Sequence, residues 1–221
     1  MNLPDGLLPG VWTTAAWLLF LPVFLHAVWR APWRRLAEAG RLNAWLGTVV
    51  VLMLLWSLKA GVKPGLSLHL LGAAMLVLGF GPRLAFVGLC TALFGVTLNG
   101  DAGWQSYAAN ALLMGGVGVL ASSGVLRFSE RFLPPHFFVY VFANGFFGAA
   151  LAIIAVGIVA SAVLVGAGVH GAAYVLGEYL PYVGLLAFAE AWLSGMAVTL
   201  FVIYRPQWVA TFDDARYLIG R

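Results

Sequence analysis

Charge is scarce in this chain: 8 acidic and 12 basic side chains among 221 residues. Soluble domains carry roughly a quarter or more of charged surface residues, so this composition excludes a free-standing water-soluble protein. Cysteine is nearly absent. Cys90 stands alone in an apolar run, which excludes an internal disulfide and a thiolate cluster; it reads as a small packing residue. The phosphate loop Gly-x-x-x-x-Gly-Lys-Ser/Thr is missing, so the expectation is a chain with no ATP site of its own. His-Glu-x-x-His and Gly-x-Ser-x-Gly are missing too. Ser122-Ser123 has no base beside it. The expectation is that the isolated chain is not an enzyme.

What fills the sequence instead is apolar: 62% hydrophobic residues and a mean hydropathy of +0.96. A bilayer core about 30 Å thick takes roughly 20 such residues per helix. Seven runs fit, at about 11–29, 43–58, 66–80, 84–98, 104–126, 137–165 and 177–204. They predict an all-α integral membrane protein, a compact bundle of about seven transmembrane helices. One domain, 1–205, would have its N-terminal segment folded into the outer rim, and 206–221 would form a short cytoplasmic tail. With the N-terminus outside, all ten arginines (Arg30, Arg34, Arg35, Arg41, Arg83, Arg127, Arg131, Arg205, Arg216 and Arg221) fall on the inner side. Lys59 and Lys63 complete the twelve basic residues and fall outside. That asymmetry predicts a multi-pass protein of the cytoplasmic (inner) membrane with its C-terminus inside. It also accounts for the +4 net charge without nucleic acid; the lipid bilayer is the expected surrounding. Asp5 precedes the first run and Arg30, Arg34 and Arg35 follow it, the reverse of a secretory signal, so the N-terminus is expected to be retained. Pro22 predicts a kink in the first span, Gly81-Pro82 a tight inner turn, and Pro134-Pro135 a helix stop. Small residues at Gly88, Ala92 and Gly95, and at Ala187, Ala191 and Gly195, predict helix packing faces.

Few residues in such a chain can do chemistry. His69 lies near the outer start of the third run, and Pro4-Asp5-Gly6 is a turn sequence that could fold the first residues back toward it. A terminal amine, a backbone nitrogen and an imidazole would together make a nitrogen-rich site for a transition metal. Glu190 sits near the middle of the seventh run, where a carboxylate is costly and needs partners; Asn110 and Asn144 are the candidates for a buried polar network or transport path with it. His170, in an outer glycine-rich loop, is a further possible rim ligand.

The start Met1-x-x-Pro4-Asp5-Gly6 resembles that of the CbiM/NikM-type cobalt and nickel uptake permeases, the substrate-binding subunits of energy-coupling factor transporters. His69-Leu70-Leu71-Gly72-Ala73-Ala74 followed by Gly81-Pro82, Gly100-Asp101-Ala102-Gly103 with Ala109-Asn110, and Glu190 with Ser194-Gly195 and Tyr204-Arg205-Pro206 resemble that family in the same order. The resemblance implies capture of a divalent transition metal, nickel, cobalt or copper, at the outer face. Met1, Asn2 and His69 would be its ligands, and separate ATPase and coupling transmembrane subunits its partners. Asn2 stands where the family carries histidine, and Gly95 where it tends to carry glutamine. The rival expectation is a non-transporting structural or assembly subunit of a larger membrane complex that reuses the fold.

Overall fold

The structure, a computed structural model, describes residues 2–38, 40–58, 60–63 and 66–218. Met1, Lys59 and Arg221 lie outside the described residues. The first helix, α1 (Gly10–Arg30), runs unbroken through Pro22. A 3₁₀ turn, Trp33–Ala37, leads to α2 (Arg41–Ser57). A short antiparallel hairpin follows, β1 (Ala60–Lys63) with β2 (Leu66–Leu68). Then come α3 (Ala73–Phe80) and α4 (Pro82–Leu98). Two long helices, α5 (Tyr107–Phe132) and α6 (Phe137–Gly166), each contain a π-helical stretch, Ala111–Val117 and Tyr140–Phe147. The last apolar run is α7 (Ala172–Glu178) and α8 (Leu180–Tyr204). A 3₁₀ turn and the four-residue α9 (Asp214–Tyr217) end the described chain.

Two expectations need correction. Eight helices of seven residues or more are present among the described residues, not seven, because the last run breaks at Tyr179 just before Pro181. The third run is not a helix over 66–80. It begins as strand β2, continues without regular secondary structure through His69–Leu71, and turns helical only after Gly72. Gly72 has φ +71°, and a Cβ there would strike the Leu52 side chain. At about 1.5 Å per residue, α3 is roughly 12 Å long, under half a bilayer core. The non-helical part before it has Leu68, His69 and Leu71 buried in protein, the condition under which non-helical backbone is tolerated at membrane depth.

Four helices are long and apolar enough to cross a membrane: α1, α5, α6, and α7 with α8 taken together; α2 and α4 are shorter apolar helices. The core lies around α3 and α4, where Leu71, Leu76, Leu84, Leu89 and Leu93 are buried. The outer surface is apolar instead of charged, with Leu18 71%, Leu185 70% and Phe188 68% exposed. A surface of that kind belongs in hydrocarbon. Small residues bring the helices close: α4 lays Gly88 on Trp45 and Gly95 on Met53 of α2, and α8 lays Gly195 on Phe146 of α6. This is the packing mode available where lipid removes the hydrophobic drive between helices.

Hydrogen bonds sort the chain into two ends. At one, Leu3 meets Asn110, Asn2 meets Ser67, and Ser57 meets Asp101. At the other, the Arg41 Nε donates to the Gln207 carbonyl at 2.6 Å. There the 209–217 tail crosses the ends of α3, α5 and α6. Ala210 N–H donates to the Gly79 carbonyl at 2.9 Å and Thr211 N–H to that of Leu78 at 3.2 Å, which satisfies the last carbonyls of the short α3. Arg216 reaches the Glu130 carbonyl at 2.8 Å. The N-terminal segment and the tail therefore lie at opposite ends of the bundle.

Candidate metal centre

The N-terminal segment is a built part of the bundle. Asn110, buried at the start of α5, faces the Leu3 backbone with both ends of its amide: Leu3 N–H donates to its Oδ1 at 2.8 Å, and its Nδ2 donates to the Leu3 carbonyl at 3.0 Å. One side chain thus satisfies a whole residue of irregular backbone, which otherwise would be buried unpaired. Three more bonds hold the following turn. Ser106 N–H donates to the Asp5 carboxylate at 2.8 Å, Ser106 Oγ donates to the Pro4 carbonyl at 2.9 Å, and Gly6 N–H donates to Gln105 Oε1 at 3.1 Å. Gly103 leaves the room for Asp5; a Cβ there would overlap its carboxylate.

Residue 2 is carried by this clamp to the hairpin. The Asn2 carbonyl accepts from Ser67 Oγ at 3.1 Å, two residues before His69. The Asn2 side chain is buried, and neither its Oδ1 nor its Nδ2 has a hydrogen-bond partner among the described residues. A buried amide with no partner is uncommon and costs about 1–3 kcal/mol, so it marks a place where a further group belongs.

His69 is 3% exposed. Its ring centroid lies 5.0 Å from that of Trp56, which is fully buried at the end of α2. Its Nδ1 lies 2.8 Å from the Leu70 carbonyl. A carbonyl only accepts, so Nδ1 carries a proton; in the neutral ring that leaves the lone pair on Nε2, the arrangement in which an imidazole coordinates a metal. Among the described residues no three His, Cys, Asp or Glu side chains come together as a metal cluster. A site here would consist of one imidazole with nitrogen and oxygen donors of the N-terminal segment. Met1, the third expected ligand, lies outside the described residues.

The remaining candidates separate. Glu190 does not bond Asn110 or Asn144. Its Oε2 accepts from Leu71 N–H and its Oε1 from Gly72 N–H, both at 2.7 Å, and Ser194 Oγ donates to Oε1 at 3.1 Å. Asn110 serves the N-terminal segment, while Asn144 donates to Ser129 Oγ at 3.2 Å and to the Tyr140 carbonyl at 3.1 Å within α5 and α6. His170 packs on Tyr174 at 4.9 Å beyond α6, and its Nε2 has no hydrogen-bond partner among the described residues. A cleft of about 550 Å³ between α2 and α8 has Glu190, Gly72 and Leu70 in its wall, so it reaches the underside of the His69 loop. Residues that the sequence did not single out, Ser67, Gln105, Ser106 and Trp56, hold or wall the centre. Their types are common at loops and helix ends, and no spacing marks them.

The family model described as the cobalt uptake substrate-specific transmembrane region, CbiM, matches residues 2–208. A cobalt transport protein CbiM of Salmonella typhimurium is 32% identical over 136 residues, 59% of this chain and 54% of that protein. A putative cobalt transport protein of the same type from Methanosarcina barkeri is 29% identical over 147 residues, 65% of this chain and 62% of that protein. The match thus spans under two thirds of these relatives. In fold, the chain is similar to a solved truncated transition metal transporter, with a TM-score of 0.78, 18% identity, and coverage of 92% of this chain and 99% of the other. A second solved transition metal transporter gives a TM-score of 0.71 at 19% identity, covering 91% of this chain and 92% of the other.

Proposed function

The chain belongs to the family of cobalt uptake substrate-specific transmembrane regions, and from that membership we propose that it is the substrate-capture subunit of a transition-metal uptake system. Its cargo is a divalent ion of the cobalt and nickel class. The metal is taken at the end of the bundle that holds residues 2–6, oriented outward, in a site formed by His69 and the first two residues. Support comes from one observation above all: the docked N-terminal segment brings the unpaired Asn2 amide beside the strand that leads into His69.

The donor set has a definite chemistry. An imidazole Nε2, a backbone nitrogen of residue 2 and the Met1 amine are borderline donors that suit late first-row divalent ions. Asn2 changes the set by offering an amide oxygen where the family resemblance implies an imidazole. The Trp56 wall keeps water away and strengthens each bond in the site. Release to the opposite face requires the bundle to rearrange. The chain carries no phosphate loop, so energy would come from separate ATPase and coupling subunits docked at the arginine-rich end in the cytoplasmic membrane. The rival reading, an assembly subunit, has no such use for a buried unpaired amide.

The test is metal analysis of protein purified with an unmodified N-terminus, its first residue fixed by mass spectrometry. Bound cobalt or nickel near one equivalent is expected. A glycine-serine extension before Met1 and, separately, His69→Ala should each abolish it. Stoichiometric metal that survives both changes refutes the site.

A further inference from the structure

We propose that Glu190 is a positioning residue for the metal site, acting on His69 through the single peptide group that joins Leu70 to Leu71. This rests on the capture reading above and adds a component to it.

The geometry is a relay. The Leu71 N–H donates to Glu190 Oε2 at 2.7 Å. The carbonyl of the same peptide unit, that of Leu70, accepts the Nδ1 proton of His69 at 2.8 Å. The carboxylate therefore fixes the peptide plane, and the peptide plane fixes the imidazole. Metal-binding histidines commonly donate their second ring N–H to a carboxylate or a carbonyl, which sets ring orientation and raises the basicity of the ligating nitrogen. Here the two devices are joined in series, and the bonds polarise one another in the same sense.

The rest of the cradle serves the same end. Gly72 N–H donates to Glu190 Oε1 at 2.7 Å, and Ser194 Oγ, one helical turn along α8, holds that oxygen at 3.1 Å. Leu71 and Gly72 directly precede α3, so the carboxylate caps the positive end of a short helix. With these N–H groups taken by a side chain, the backbone has no reason to continue α3 upward. A helical continuation would move the peptide that orients His69. The buried carboxylate, costly by itself at this depth, keeps the loop out of the helix and the imidazole in one tautomer. Free histidine favours the Nε2–H tautomer, which has no lone pair where this site needs one.

The experiment uses full-length protein in nanodiscs, with ¹⁵N-labelled histidine and cobalt titration. The His69→Ala variant comes first. Loss of cobalt binding upholds the site, whereas wild-type binding would overturn the capture reading itself, apart from any role of Glu190. Given that loss, Glu190→Gln should weaken cobalt binding by about ten- to a hundredfold and convert the His69 ¹⁵N pattern from Nδ1–H to a mixture. Wild-type affinity in Glu190→Gln, or weaker binding with an unchanged Nδ1–H pattern, overturns the relay. If Glu190→Gln does not fold, the metal-free wild type decides. A pure Nδ1–H His69, with Leu71 and Gly72 amides that exchange as slowly as those of α3, supports the proposal. A mixed tautomer or rapid exchange at those two amides refutes it.

Discussion

Asn110→Ala is the sharpest perturbation of the capture site that leaves every proposed ligand in place. The side chain is fully buried and makes two hydrogen bonds, at 2.8 Å and 3.0 Å, to the Leu3 N–H and carbonyl. Truncation leaves both backbone groups unpaired, at about 1–3 kcal/mol each. The segment escapes that cost by undocking into water. Ordering it opposes docking by about 1–2 kcal/mol per residue, so the docked state has little reserve. A net shift of about 3 kcal/mol moves the docked population, and with it the apparent affinity, by roughly a hundredfold. Cobalt titration of the detergent-purified variant measures the affinity, and hydrogen exchange of the 2–8 peptide measures docking. Both should change together, while exchange in α4 and α6 stays at wild-type rates. Asn144→Ala is the matched control. It removes two bonds of similar length, one to Ser129 of α5 and one to the Tyr140 carbonyl within α6, so it should lower the melting temperature without weakening metal binding per folded molecule. Wild-type affinity in Asn110→Ala, with the 2–8 peptide still protected, would refute the claim that docking of residues 2–6 builds the site.

Trp56 lies 5.0 Å from the His69 ring, so cobalt binding should quench its fluorescence, and Trp56→Phe should remove most of the quenching while binding persists by dialysis. Gly103→Val places a branched side chain where Asp5 sits; it should expose the 2–8 peptide and weaken binding at least tenfold. Thr211→Val removes the hydroxyl that bonds Tyr140 Oη at 2.7 Å and the Leu78 carbonyl at 3.0 Å. It should cost about 1–3 kcal/mol of stability, read as increased proteolysis of the tail, with metal affinity unchanged.

How much of this could be read from the sequence depends on the range of the interaction. Apolar runs are local, so α1, α2, α4, α5 and α6 fall close to where hydropathy places them. Small-residue packing is local to a helix face, and Gly88 and Gly95 do meet α2. The third run is misread by the same rule. Ser67 to Phe80 contains nothing that penalises a helix strongly except Gly72 and Gly79, at about 1 kcal/mol each, and Gly79 lies inside α3 all the same. What stops the helix is Glu190, more than a hundred residues away, holding the Leu71 and Gly72 N–H groups. The break at Tyr179 had a local signal in Pro181, whose ring cannot follow an ordinary helical turn without cost.

The polar residues show the same division more strongly. Glu190, Asn110 and Asn144 attract attention for one reason, that buried polar side chains in an apolar run must find partners, and each has done so. Hydropathy shows that a partner exists but cannot say which one, and the natural guess pairs side chain with side chain. In a bundle this poor in polar groups, irregular backbone is the larger reservoir of unmet hydrogen bonds. The N-terminal segment and the His69 loop are the two irregular pieces near the candidate centre. Asn110 goes to the first and Glu190 to the second. Each side chain therefore holds in place a stretch of chain that a helix would have satisfied by itself, and those two stretches carry the candidate ligands. A buried polar residue in such a protein is best read by asking which non-helical backbone it serves.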